Sequence, residues 1–135
     1  MSNFDYDLEN PGDESGFSNI KGYFFLITKV LHSRIEAFLN KDIVKELDCL
    51  YTLRWLLIGY FTPEELVQIN ACFNEISHLL QQNTQAENMK LHKKSLQTYT
   101  ELRTKMNWIA DTLSTKMHKS NLYTMLREKG SYLYN

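Results

Sequence analysis

Phe61-Thr62-Pro63-Glu64-Glu65-Leu66 concentrates nearly every chemical signal for starting a helix. Thr62 reads as the N-cap. Pro63 sits at the first helical position, where its missing N–H costs nothing, and Glu65 at the third can reach back to complete a capping box. Phe61 before the cap and Leu66 after it can close a hydrophobic staple. Behind this start, Leu66, Ile69, Phe73, Ile76 and Leu80 recur at spacings of three and four, an apolar stripe along one side of a helix. Each such side chain contributes ~1.5 to 3 kcal/mol when buried, against ~1 kcal/mol for a cap. The stripe therefore supplies stability and the cap sets the boundary. A lone helix of this length is marginal in water, so the flanking chain must cover it.

Working outward, Ser18 or Asn19 can cap a first helix running over about 19–40, with Ile20, Phe24, Ile27, Leu31, Ile35 and Phe38 as its apolar stripe. Asn40-Lys41-Asp42 makes a short turn. A second helix over about 43–59 carries Ile43, Leu47, Leu50, Tyr51, Trp55, Leu57 and Ile58 around most of its circumference, which marks it as central. The third helix, from the capping box, spans about 63–82. Between Glu64 and Lys129 there is no glycine or proline to break it. Hydrophobicity lapses between Gln81 and Ser95, and Thr84-Gln85-Ala86-Glu87 repeats the capping-box pattern, so a turn is expected near 82–84. A fourth helix over about 85–117 would then be ~50 Å long. Its core stripe is Tyr99, Leu102, Met106, Ile109 and Leu113. Ser120 or Asn121 can cap a short last helix over about 121–129, closed by Gly130. The expected fold is all-α, an antiparallel four-helix bundle with a short C-terminal helix and no evident internal repeat.

Charge is unevenly spread. The 135-residue chain has a net charge of −1, but residues 1–16 hold five acids and no base, while residues 89–135 hold nine bases and three acids. Residues 1–18 read as an acidic arm that composition alone would leave disordered, and 19–135 as one helical domain with an aromatic tail. Phe4, Tyr6 and Leu8 alternate in the arm as anchors of an extended segment would. Tyr132, Leu133 and Tyr134 make the tail too apolar to float. Cys49 and Cys72 read as reduced, buried thiols, and the N-terminus lacks a basic and apolar leader, so a reducing, cytoplasmic setting is expected. No apolar run is long enough to span a bilayer, and no membrane partner is expected.

Motifs for chemistry are sparse. Glu75-Ile76-Ser77-His78 has the Glu-x-x-His spacing of di-iron bundles, but such a site needs a second copy, and none is present. No Gly-x-Ser-x-Gly, phosphate-cradling glycine loop or His-Glu-x-x-His occurs. Ser18-Asn19-Ile20-Lys21 matches Ser-x-x-Lys without its companion motifs. Leu53-Arg54-Trp55-Leu56-Leu57, a Leu-x-x-Leu-Leu pattern, reads as core. The expectation is no enzyme, no catalytic residues, no metal, no cofactor and no small-molecule substrate.

Binding is the better-supported class. At 100° per residue Lys90, Lys94, Lys105, Lys116 and Lys119 fall within about a quarter-turn of each other, a stripe able to track phosphates. Glu101 and Asp111 interrupt or flank it, and a solvated face is the simpler reading. Aromatic residues make up 13% of the chain and many lie near its ends, where tyrosine suits an interface. The first expectation is a helical assembly protein that binds itself or a larger complex, tethered by its arm and tail. The second is a nucleic-acid-binding or regulatory factor using the lysine face. The third is an inhibitor whose acidic arm imitates nucleic acid. Richness in Asn, Lys, Ile, Phe and Tyr, with AT-rich codons, in a small motif-free helical chain resembles what phage and other mobile elements encode; the setting would then be host cytoplasm or virion.

Overall fold

A computed structural model describes the backbone of residues 17–122 and the side chains from Gly22 onward. All regular structure among the described residues is helical: α1 (Phe17–Leu39), α2 (Ile43–Leu56), a 3-10 turn (Ile58–Tyr60), α3 (Pro63–Asn88) and α4 (His92–Lys119). Phe61–Thr112 forms one compact unit. The described residues up to Tyr60 and from Leu113 onward belong to a second. Beyond Leu122, the C-terminal helix expected over 121–129 lies outside the described residues, as do residues 1–16 of the acidic arm, whose last two residues, Phe17 and Ser18, open α1 instead.

The capping box forms as its chemistry requires. Thr62 Oγ1 accepts from Glu65 N at 3.2 Å, and Glu65 Oε1 accepts from Thr62 N at 2.8 Å. Phe61 is buried beside this start. The buried residues of α3 are Ile69, Phe73, Ile76, Leu79, Asn83 and Ala86, so the helix does not stop where hydrophobicity thins. Asn83 explains why. Its side chain, only 6% exposed, donates to Ser95 O at 2.8 Å and to Thr98 Oγ1 at 3.1 Å, linking α3 to α4 across the turn. The expected turn at 82–84 is therefore displaced to residues 89–91, and Thr84-Gln85-Ala86-Glu87 lies inside α3 rather than capping a new helix.

The turn that does form is a Schellman closure. Lys90 takes the left-handed conformation (φ 58), its N–H bonds Glu87 O at 3.0 Å, and Leu91 N–H bonds Ala86 O at 2.8 Å. The α1–α2 connection repeats it bond for bond. Lys41 has φ 57, its N–H bonds Phe38 O at 3.1 Å, and Asp42 N–H bonds Ala37 O at 2.9 Å. The same separation that relates Lys41 to Lys90 also relates Phe24 to Phe73, Ile27 to Ile76, Val30 to Leu79, Ala37 to Ala86, Cys49 to Thr98, Leu53 to Leu102 and Leu57 to Met106, every one of them buried. It relates Thr28, whose hydroxyl donates to Phe24 O at 2.9 Å, to Ser77, which donates to Phe73 O at 3.2 Å. It also relates two helix-to-helix links: Tyr23 Oη donates to Leu56 O at 2.6 Å, and Cys72 Sγ donates to Lys105 O at 3.7 Å. The chain thus carries one antiparallel helical hairpin plan twice, α1–α2 and α3–α4, where no repeat was evident from the sequence.

Packing corrects several expected core residues. Ile35 and Phe38, read as part of the α1 stripe, are 53% and 56% exposed, because at the tight turn the small Ala37 takes the interior position. Tyr99 is 42% exposed, while Leu102, Met106, Ile109 and Leu113 are buried as their spacing implies. Half of the α2 residues are buried, including Leu47, Leu50 and Leu53, yet the helix stops at Leu56 rather than 59, and Ile58 in the following 3-10 turn is 42% exposed. At the far end Asn121, with φ 60, closes α4, its N–H bonding His118 O at 3.1 Å.

Candidate functional site

Large exposed apolar side chains mark the surface near the two hairpin turns. On the first, Ile35, Phe38 and Leu39 occupy one face of the last turns of α1, and Val44 lies at the start of α2; their exposures run from 53% to 72%. Polar neighbours are Glu36, Lys41, Asp42 and Lys45, all exposed. Asp42 caps α2, its Oδ1 accepting from Lys45 N at 3.1 Å.

The second turn has a different character. Met89, Leu91 and Leu96 are exposed among cations, and no acid occurs between Asn88 and Thr100. Lys90, Leu91, His92, Lys93, Lys94 and Gln97 line an open depression of about 540 Å3. Leu91 stands where Asp42 stands in the first hairpin, so the N-cap side chain offers no acceptor, and the first turn of α4 holds no acid. The positive end of the helix and three lysine ammoniums are therefore left to attract anions from outside.

Of the five lysines of the expected stripe, the structure brings Lys90 and Lys94 together at this turn. Lys105 is held differently: its ammonium pairs with the Glu75 carboxylate, and the hydrogen bond it donates to Glu75 raises its pKa. Lys116 is half-buried and already engaged, and Lys119 is exposed in the last turn of α4; both belong to the other unit. Phe4, Tyr6 and Leu8 of the arm and Tyr132, Leu133 and Tyr134 of the tail lie outside the described residues.

Titratable groups inside the hairpins are tuned away from reactivity. Burial pushes the Cys49 thiol up to about 11, with the Asp48 charge adding to the rise and Lys45 and Arg34 opposing it. Burial likewise raises Cys72, and it raises the Tyr23 hydroxyl, with Tyr60 beside it contributing. Both cysteines are free, and as protonated thiols at neutral pH they are poor nucleophiles. Glu75, half of the Glu-x-x-His pattern, is committed to Lys105. Among the described residues no three His, Cys, Asp or Glu side chains gather as a metal set, and no helix is long and apolar enough to cross a membrane.

Sequence periodicity missed the exposure of Ile35, Phe38, Leu39 and Val44, because exposed and buried apolar residues at helical spacing look alike. The signal that could have found it is the comparison between hairpins: Thr84, Glu87, Asn88 and Lys93 hold the corresponding positions in the second. Compared with protein-family models, with curated proteins and with solved structures, the chain matches none.

Proposed function

We propose that this chain is a non-enzymatic helical interaction protein that assembles with itself or within a larger complex in the cytoplasm. The observation that carries the reading is the gathering of exposed large apolar side chains near the hairpin turns, Ile35, Phe38, Leu39 and Val44 near one and Met89, Leu91 and Leu96 near the other. Large apolar side chains left exposed in numbers near two turns of a folded chain support an interaction role. The acidic arm, with Phe4, Tyr6 and Leu8, and the tail, with Tyr132, Leu133 and Tyr134, serve in this proposal as tethers, the arm's five acids seeking basic surface. The richness in Asn, Lys, Ile, Phe and Tyr, residue types whose codons are AT-rich, supports a phage or mobile-element component. Deleting residues 1–16 and, separately, 131–135 tests the tethers. Each deletion is expected to shift the chain to lower mass in size exclusion with light scattering, and an unchanged mass contradicts that tether's role.

The second turn favours a second reading, a nucleic-acid-binding or regulatory factor. Three free-standing lysines at Lys90, Lys93 and Lys94 predict a logarithmic salt slope of about −3 on double-stranded DNA. Charge reversal at Lys94 should flatten that slope, whereas reversal at Lys105, already paired with Glu75, should not. Flat salt dependence, or no binding, removes this reading. An arm that imitates nucleic acid would instead show as competition with DNA for a basic partner.

A further inference from the structure

We infer that the basic depression at the second hairpin turn is the docking site for the acidic N-terminal arm of another copy of this chain. The inference rests on the reading of the arm as a tether and names the surface to which the arm is tied.

The depression is one surface, because a single open volume of about 540 Å3 touches Lys90, Leu91, His92, Lys93, Lys94 and Gln97, all of them exposed. Its charge is one-sided. Three lysines fall within five residues, as in no other stretch of the chain, and the nearest acids in sequence are Glu87 and Glu101. The first hairpin provides an internal control, since its turn has the same backbone bonds and the same left-handed lysine. There Lys41 and Lys45, the counterparts of Lys90 and Lys94, stand among Asp42, Glu46 and Asp48. In the second hairpin those three acids are replaced by Leu91, Ser95 and Gln97, and Val44 by Lys93. The hairpin plan therefore does not require a cationic turn.

The arm supplies the missing carboxylates. Residues 4–9 read Phe4-Asp5-Tyr6-Asp7-Leu8-Glu9, three acids alternating with three large apolar residues, and residues 1–16 hold five acids and no base. Patches of opposite sign select each other and reject like-charged alternatives. The apolar half of the match favours the arm over nucleic acid. Leu91 lines the depression while 44% exposed, and a phosphate backbone gives it nothing to bury against, whereas Phe4, Tyr6 and Leu8 do. Arm and depression also occur once each per chain, so two copies that exchange arms fill both sites. Salt screens the ion pairs but not the apolar contacts, so rising salt loosens the arm without setting it free.

The test is carbodiimide coupling, which joins a carboxylate to an amine it touches, on full chain mixed with an equal amount of isotope-labelled full chain and read by mass spectrometry. The expected products join Asp5, Asp7 or Glu9 to Lys90, Lys93 or Lys94, with labelled arm on unlabelled turn and the reverse. Lys93→Glu combined with Lys94→Glu should cut this coupling about tenfold, since two attractions become two repulsions. Lys41→Glu combined with Lys45→Glu, at the corresponding turn, should leave it unchanged, and neither variant should alter the helical circular dichroism signal. Coupling confined to single chains overturns the inference. So does an arm that couples to Lys41 and Lys45 as readily as to Lys93 and Lys94, or to no lysine at all, even if the depression captures DNA. The tether reading fails separately. If removing residues 1–16 lowers the mass while the intact arm never couples to Lys90, Lys93 or Lys94, the arm still tethers and its docking site is refuted. If the expected coupling occurs and removing the arm leaves the mass unchanged, the docking site stands and the tether is refuted.

Discussion

The two hairpins share their interior and differ in what their outer faces meet. Where the first buries Leu26, Leu50 and Leu56, the second places Glu75, Tyr99 and Lys105, and the apolar pair of the first becomes the Glu75–Lys105 ion pair of the second. The first hairpin shares its unit with Leu113, Met117 and Leu122, all fully buried. One plan thus serves two environments. The shared positions, Phe24/Phe73, Ile27/Ile76, Ala37/Ala86 and Lys41/Lys90, define the hairpin, and the divergent ones define its surroundings.

If the shared positions define the plan, equivalent truncations should cost alike. Phe24→Ala and Phe73→Ala, at side chains 4% and 3% exposed, are each expected to lower stability by about 3 to 5 kcal/mol in urea denaturation. A full cost in one hairpin and almost none in the other would break the comparison. Next in size is a feature of the second hairpin alone. Asn83→Ala removes the two links to Ser95 and Thr98 and should cost about 1 to 3 kcal/mol, with faster hydrogen exchange in the first turns of α4. Unchanged exchange there would mean that the turn is held by its backbone bonds.

The turn position of the second hairpin was not legible for the same reason that Asn83 matters. Thr84-Gln85-Ala86-Glu87 is a local pattern, and it loses to an amide buried against groups on the next helix, which no local window contains. The left-handed residues offered no help either. Both hairpin turns place lysine where glycine is the usual choice, accepting a left-handed backbone that costs a side-chain-bearing residue roughly 1 kcal/mol or more. The true capping box at Thr62–Glu65 was readable because all its chemistry lies within four residues. Ile35 and Phe38 were misread because periodicity reports a face but not what covers it. The cationic turn was half visible: the lysines were counted, but their division among turn, ion pair and helix end depends on the fold.

The lysine turns give a smaller and sharper test. Lys41→Gly and Lys90→Gly should each raise stability by up to about 1 kcal/mol, and by similar amounts, since the backbone geometry is the same. A gain at one and a loss at the other would show that one lysine side chain holds its turn by contacts of its own.

The alkaline limb of the pH–stability profile carries the smallest effect. Cys49 titrates near 11 in the folded chain against an ordinary 9.0, so above pH 9 the unfolded chain releases this proton first and stability falls as pH rises toward 11. Lys105 acts in the same direction. Its raised pKa makes its contribution complete below 10.5 and lost as pH climbs through the folded value. Replacing Cys49 with alanine should flatten the profile from pH 9 upward, and Glu75→Gln should change stability at neutral pH by less than about 1 kcal/mol, as for a largely exposed pair. A Cys49→Ala profile as steep as the wild type would place the alkaline sensitivity on other groups.

The most direct measurement is the solution mass of the unmodified chain by light scattering, at physiological and at high salt. Self-association through the apolar side chains exposed near the hairpin turns predicts a mass of at least twice 16.0 kDa that does not fall when salt is raised, because apolar contact is not screened. A mass of 16.0 kDa at both salts, or a dimer that dissociates as salt rises, would contradict it.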